Sequence, residues 1–154
     1  MSASNNAIFP QLPFPVSAVV TGANTVLSDT PDANVVELVL PNTVETDGAQ
    51  LIGLWALPRA TCTATVLYLY RSTDGGTTKR LFAAVTAAAD TVSATDAPVE
   101  IVFKIKGAAI SESNPLYIAP GSGNSKTRLY VGASVALASG WAVSGDGLLM
   151  QKAV

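Results

Sequence analysis

The chain has 154 residues, of which 13% are charged, with no histidine, one cysteine and a net charge of −2. That length suits a single domain with one core. The missing histidine removes Ser–His and Cys–His catalytic pairs, the lone Cys62 cannot close an internal disulfide, and scattered cations make no basic face for nucleic acid.

Residues 1–15 differ in kind from the rest of the chain. Ser-Ala-Ser-Asn-Asn leads into Ile8-Phe9-Pro10-Gln11-Leu12-Pro13-Phe14-Pro15, large apolar groups on a backbone stiffened by proline that cannot form a helix. With no basic n-region and its apolar run broken by prolines, the segment does not read as a secretory leader. The expectation is an extended N-terminal arm over residues 1–15, ahead of one domain over residues 16–154. Such an arm either lies across its own domain or docks on a neighbour, with Ile8, Phe9, Leu12 and Phe14 as its candidate contacts.

Beyond the arm, period-two alternation dominates. Residues 16–27 suggest a pair of strands broken near Gly22, residues 35–40 are β-branched enough for another, and residues 51–57 add one more. In residues 62–70, Cys62, Ala64, Val66, Tyr68 and Tyr70 lie opposite Thr61, Thr63 and Thr65, which makes Cys62 a small core residue. Residues 72–78 contain Asp74-Gly75, whose tolerance of positive φ predicts a hairpin. Residues 80–86 then continue as a strand, although Leu81, Val85, Ala88 and Val92 would also share one face of a short helix.

Val99, Ile101, Phe103 and Ile105 share a face, with Glu100, Lys104 and Lys106 on the other. Leu129, Val131, Ala133, Val135 and Leu137 repeat the pattern, and residues 141–143 close the series. Short strands at regular intervals, with turn residues between them, predict an all-β chain folded as an antiparallel β-sandwich, jelly-roll-like. The longest uncharged apolar segment, residues 129–145, spans 17 residues and includes Ser134, Ser139, Gly132 and Gly140, too short and polar to cross a bilayer. A soluble protein made in a reducing cytoplasm, without membrane or nucleic-acid partners, is the expectation.

Several constellations invite a chemical reading. Ala119-Pro120-Gly121-Ser122-Gly123-Asn124-Ser125-Lys126-Thr127 resembles a phosphate loop, but Pro120 and Ser125 stand where that loop needs Gly, and the segment joins strand to strand rather than strand to helix. Lys126 and Arg128 are expected on its exposed flanks, solvated or in contact with acids of a neighbouring copy. Asp90 and Asp96 could be the paired carboxylates of a glycosidase, though both sit among Thr, Ser and Ala in a loop. Asp29, Asp32 and Glu37 lack the oxygen spacing of a calcium loop. Trp55, Trp141, Tyr68, Tyr70, Tyr117 and Tyr130 could stack on sugars, with sheet packing as the stronger account. No catalytic residue, metal ligand or cofactor site is assigned.

Charge is unevenly placed. Residues 1–58 hold five acids and no cation, whereas residues 59–154 hold nine cations and six acids. The asymmetry is either chance in a sparsely charged chain or the mark of a contact between neighbouring copies.

The stretches Val66-Leu67-Tyr68-Leu69-Tyr70-Arg71-Ser72-Thr73-Asp74-Gly75-Gly76-Thr77-Thr78-Lys79-Arg80-Leu81, Asn114-Pro115-Leu116-Tyr117-Ile118 and Arg128-Leu129-Tyr130-Val131-Gly132, with Gly140-Trp141 beyond, resemble small β-sandwich virion proteins of tailed bacteriophages. The resemblance covers roughly residues 50–150. It implies a non-enzymatic structural protein of the virion, present in many copies. Its form would be a capsid decoration protein that binds and stabilises the major capsid shell, or a tail or fibre component. A carbohydrate-binding β-sandwich module is the alternative.

Overall fold

The computed structural model describes the backbone of residues 8–152 and the side chains of residues 12–150. Among the described residues, eleven strands run in chain order as β1 Ile8–Val20, β2 Val36–Leu38, β3 Ala49–Pro58, β4 Thr65–Ser72, β5 Arg80–Ala87, β6 Ile101–Val102, β7 Lys104–Ile105, β8 Ala108–Ala109, β9 Leu116–Ile118, β10 Arg128–Ala133 and β11 Trp141–Lys152. One helical turn, α1 Val44–Asp47, precedes β3, and a 3-10 turn covers Gly123–Ser125.

The strands form two antiparallel sheets. The first runs β1-β11-β3-β6, with β9 also on β3; the second runs β2-β10-β4-β5; β7 and β8 make a separate small hairpin. Inward residues of the first sheet, among them Val16, Val20, Leu51, Leu54 and Val143, meet Leu67, Leu69, Leu129 and Val131 of the second in one buried cluster. The alternation along β3, interrupted once by a bulge at Ile52, explains why. Ala49, Leu51, Leu54, Ala56 and Pro58 are buried, while Gln50, Ile52, Trp55 and Leu57 on the other side are only partly so. Each buried Leu contributes on the order of 2 kcal/mol relative to an exposed one.

The N-terminal segment is part of this fold. β1 pairs along its length with β11, from Ile8 opposite Lys152 to Val20 opposite Trp141, and crosses the expected arm boundary at residues 15 and 16 without a break. Phe14 is 7% exposed and belongs to the core cluster, so it is not available as a partner contact. The reason is register: Phe14 falls opposite Gly147 on the inward side, and Gly147 leaves room for its ring. Leu12 is 48% exposed. The expected contacts of Ile8 and Phe9, and the arm over residues 1–7, lie outside the described residues.

β1 is also an edge strand. Met150 donates its backbone N–H to the Gly48 carbonyl at 3.1 Å, on the β3 side of β11. By alternation, Met150, Leu148 and Asp146 turn their amides away from β1. Pro10, Pro13 and Pro15 lie opposite those three residues. Their missing N–H groups therefore fall on the free edge, where no ladder bond is lost.

Other expectations shift in detail. Residues 80–87 form β5, the strand rather than the helix. The second strand expected within residues 16–27 is absent; Ala23 makes one isolated bridge to Ala133 and the chain continues as a loop. The run 99–105 divides at Phe103, whose N–H bonds Leu54 of the first sheet while its carbonyl accepts from Ile110. β10 ends at Ala133 rather than near residue 137, and β11 extends far beyond residue 143.

The faces of β4 are also reversed from the expectation. Leu67 and Leu69 enter the main core, whereas Tyr68, Tyr70 and Tyr130 form a second cluster on the outer side with Val35 and Val66. Cys62 lies in the main core because β4 starts only at Thr65, so strand parity does not reach back to it.

Candidate interaction surface

The outward side of the first sheet is built by rows of residues in register. Val19, Ala142 and Leu57 make one row; Ser17, Ser144, Trp55 and Val102 the next; Pro13, Leu148, Gln50 and Tyr117 another. Between the last two rows lie Pro15 and Asp146. Apolar side chains dominate, and Asp146 is the one charged group among these positions. Val19 is 43% exposed and Tyr117 52%. In an antiparallel sheet with one side on a core, the other side is normally polar. Here strands read apolar on both sides.

At one end this face deepens into a groove of about 520 Å³. Its walls include Pro13, Pro15, Ile52 and Leu148, together with two acidic residues, Asp146 and Glu112. Neither has a cation within ion-pair distance among the described residues. A groove with greasy walls and two uncompensated negative charges suits a long cationic side chain, whose methylenes cover the walls while its head meets the carboxylates.

Among the described residues, three ion pairs link the two oppositely charged parts within the chain. Lys126 Nζ meets Glu45 at 2.7 Å, Arg128 meets Glu37 at 3.2 Å, and Arg80 meets Asp29 at 3.6 Å. Each pair joins an acid of the N-terminal part to a cation of the C-terminal part. Lys126 and Arg128 are thus half-buried and already paired within the chain. Lys126 ties the Gly123–Ser125 turn to α1, where the Gly121 N–H also bonds the Glu45 carbonyl at 2.9 Å. The glycine-rich loop is thus a strand-to-strand connection clamped to its own domain.

The remaining sequence candidates separate. Asp90 accepts from the Val99 N–H at 2.8 Å and bridges Cys62 through its backbone, while Asp96 is exposed and pairs only with Ser93. Asp32 accepts from the backbone of Asn34 and Thr25, so Asp29, Asp32 and Glu37 turn to three different partners. Of the six aromatics, Trp141 is 1% exposed and Tyr68, Tyr70 and Tyr130 are buried; Tyr117 and, in part, Trp55 reach the surface.

Two polar centres hold the outer side of the second sheet. Asn24 is fully buried and donates from Nδ2 to the Tyr70 hydroxyl at 2.6 Å. Its Oδ1 accepts from Asp32 N at 3.2 Å, and its own N–H bonds the Ala133 carbonyl at 2.7 Å. This one side chain pins the loop between β1 and β2 over the tyrosine cluster. Burial pushes the Tyr70 phenol up, against the lowering effect of the Asn24 bond. Burial likewise raises Tyr130, with the Glu37 charge adding to it.

In the β4–β5 hairpin, Asp74 accepts from the Thr78 N–H and hydroxyl and from Ser72 Oγ. These bonds, that from the Thr78 backbone foremost, hold its carboxyl well below the usual carboxylate range. Gly75 and Gly76 sit at φ of 75° and 101°, the backbone that the Asp-Gly signal predicts. Asn24 carried no sequence signal beyond its place in a polar run.

No protein-family model, no curated protein and no solved structure matches the chain.

Proposed function

We propose that this chain is a non-enzymatic structural subunit of a phage virion, built on a jelly-roll β-sandwich and acting by contact. The topology supports the jelly roll. β1 pairs with β11, β2 with β10, β3 with β6 and β4 with β5, a nested set that deals strands alternately into two sheets. Viral capsid proteins and lectins share that architecture, and the fold alone does not choose between them.

The observation that carries the role is the outward side of the first sheet, apolar and, among the described residues, free of cations, where an ordinary antiparallel sheet turns polar residues to water. A face of this kind gains by being covered, at about 25 cal/mol per Å² of apolar area buried. Repeated over many copies on an assembled major capsid shell, such binding stabilises the shell by mass action, which is how a decoration protein works.

Trp55→Glu and Val19→Glu place charge on that face without touching the core. The purified chain should bind shells from which it has been stripped, and antibodies to it should label the particle surface. Both variants should keep the wild-type circular dichroism and lose shell binding. A particle that carries none of this chain, or full binding by both variants, overturns the reading.

A further inference from the structure

The β7–β8 hairpin projects two lysines. Lys104 on β7 and Lys106 in the turn that follows it are both exposed, with Ile105 buried between them. The turn is tight: Lys106 takes a φ of 51° and Gly107 a φ of 78°. The first position of such a turn normally holds Asn, Asp or Gly, because a longer side chain is strained there. The hairpin is also fixed from behind. Asn114 Nδ2 donates to the Ile105 carbonyl at 2.9 Å and to the Ala108 carbonyl at 3.2 Å. Neither lysine has a carboxylate within ion-pair distance among the described residues.

The groove at the end of the first sheet offers the complement, with Pro13, Pro15, Ile52 and Leu148 for the lysine methylenes and Asp146 and Glu112 for the ammonium heads. Glu112 lines the groove and stands two residues before Asn114, whose side chain bonds the hairpin, so one short segment links hairpin and groove. Two adjacent complementary patches are satisfied together when a second copy is related by a two-fold axis, each hairpin entering the other's groove.

We infer that the chain self-associates through reciprocal insertion of the Lys104–Lys106 hairpin of one copy into the Glu112–Asp146 groove of another. Strand addition at β1 is a poorer route, because Pro10, Pro13 and Pro15 remove three donors from that edge. Flat face-to-face packing of the first sheet would bring Asp146 of each copy toward its counterpart without a cation between them. The inference rests on the reading of this sheet side as a contact surface and adds the identity of one occupant.

Sedimentation velocity on the full chain tests it. The wild type should dimerise at about 0.02 M salt and weaken at about 0.5 M, as exposed ion pairs do when screened. Lys104→Glu with Lys106→Glu should be monomeric, as should Glu112→Lys with Asp146→Lys. An equimolar mixture of those two double variants should recover a dimer, because each hairpin then faces a groove of opposite sign. A wild type that stays monomeric at low salt, reversals that leave the dimer unchanged, or a mixture that fails to recover it would each overturn the inference. Shell binding by the Lys104→Glu, Lys106→Glu variant separates the two readings. Retained binding by a monomeric variant upholds the contact role of the face and assigns the hairpin to copy–copy contact alone.

Discussion

The ring of Phe14 lies against the bare Cα of Gly147, across the β1–β11 pair, where a methyl group would collide with it. This contact makes Phe14, within the expected extended arm, part of the core, the first of the two placements that its sequence allows. Gly147→Ala should destabilise the fold by about 1–3 kcal/mol through overpacking. Phe14→Ala should cost about 3 kcal/mol through the void it leaves. Because each change removes the other's problem, the double variant should cost less than the sum. Urea denaturation of the three variants measures the coupling; strict additivity would show that the two residues do not meet.

Removal of residues 1–14 tests the same relationship at larger scale. The truncated chain loses half of β1 and exposes the β11 edge and the hollow left by Phe14. It should unfold at a markedly lower temperature than the full chain, or lose its cooperative transition. A truncated chain with an unchanged Tm would restore the separate arm.

Asn24 and Tyr70 should behave as one unit. Asn24→Ala leaves the buried Tyr70 hydroxyl without its donor and frees the Asp32 backbone, at a cost of about 2–3 kcal/mol. Tyr70→Phe should cost less, since Asn24 keeps its backbone partners. The readout is amide hydrogen exchange across residues 24–35, which should quicken in the first variant while β3 and β11 stay protected. Uniform exchange in both variants would exclude a pinning role.

Asp74 gives a pH signature. Its folded pKa lies below the unfolded value, so its contribution is present above the unfolded pKa and fades as pH falls through the carboxylate range. Asp74→Ala should lower the Tm at neutral pH, and the gap to the wild type should narrow below about pH 4. A gap independent of pH would mean that the charged form contributes nothing.

Parts of this fold were legible because one local rule sufficed. Leu54, Ala56 and Pro58 alternate with half-buried Trp55 and Leu57, and Asp74-Gly75 needs only its own backbone to declare a turn. β1 was hidden for a non-local reason. Pro10, Pro13 and Pro15 show only an extended backbone until the β11 register places all three missing N–H groups on the free edge. The Lys126 and Arg128 partners were equally out of reach, since Glu37 stands 91 residues from Arg128 and no periodicity links them. The groove combines Pro13, Ile52, Glu112 and Asp146 from four distant segments. Only the fold makes them neighbours.

Pairing of the first strand with the last has a kinetic side. On the ribosome, the hydrophobic floor formed by β3 and the second sheet stays open until residues near Met150 emerge, since β11 is what seats β1 beside it. Most of the contacts that secure the native state are therefore distant along the chain, which places folding in the slower, millisecond-to-second class. Nascent copies stay unsealed during that interval, and β11 acts as the latch.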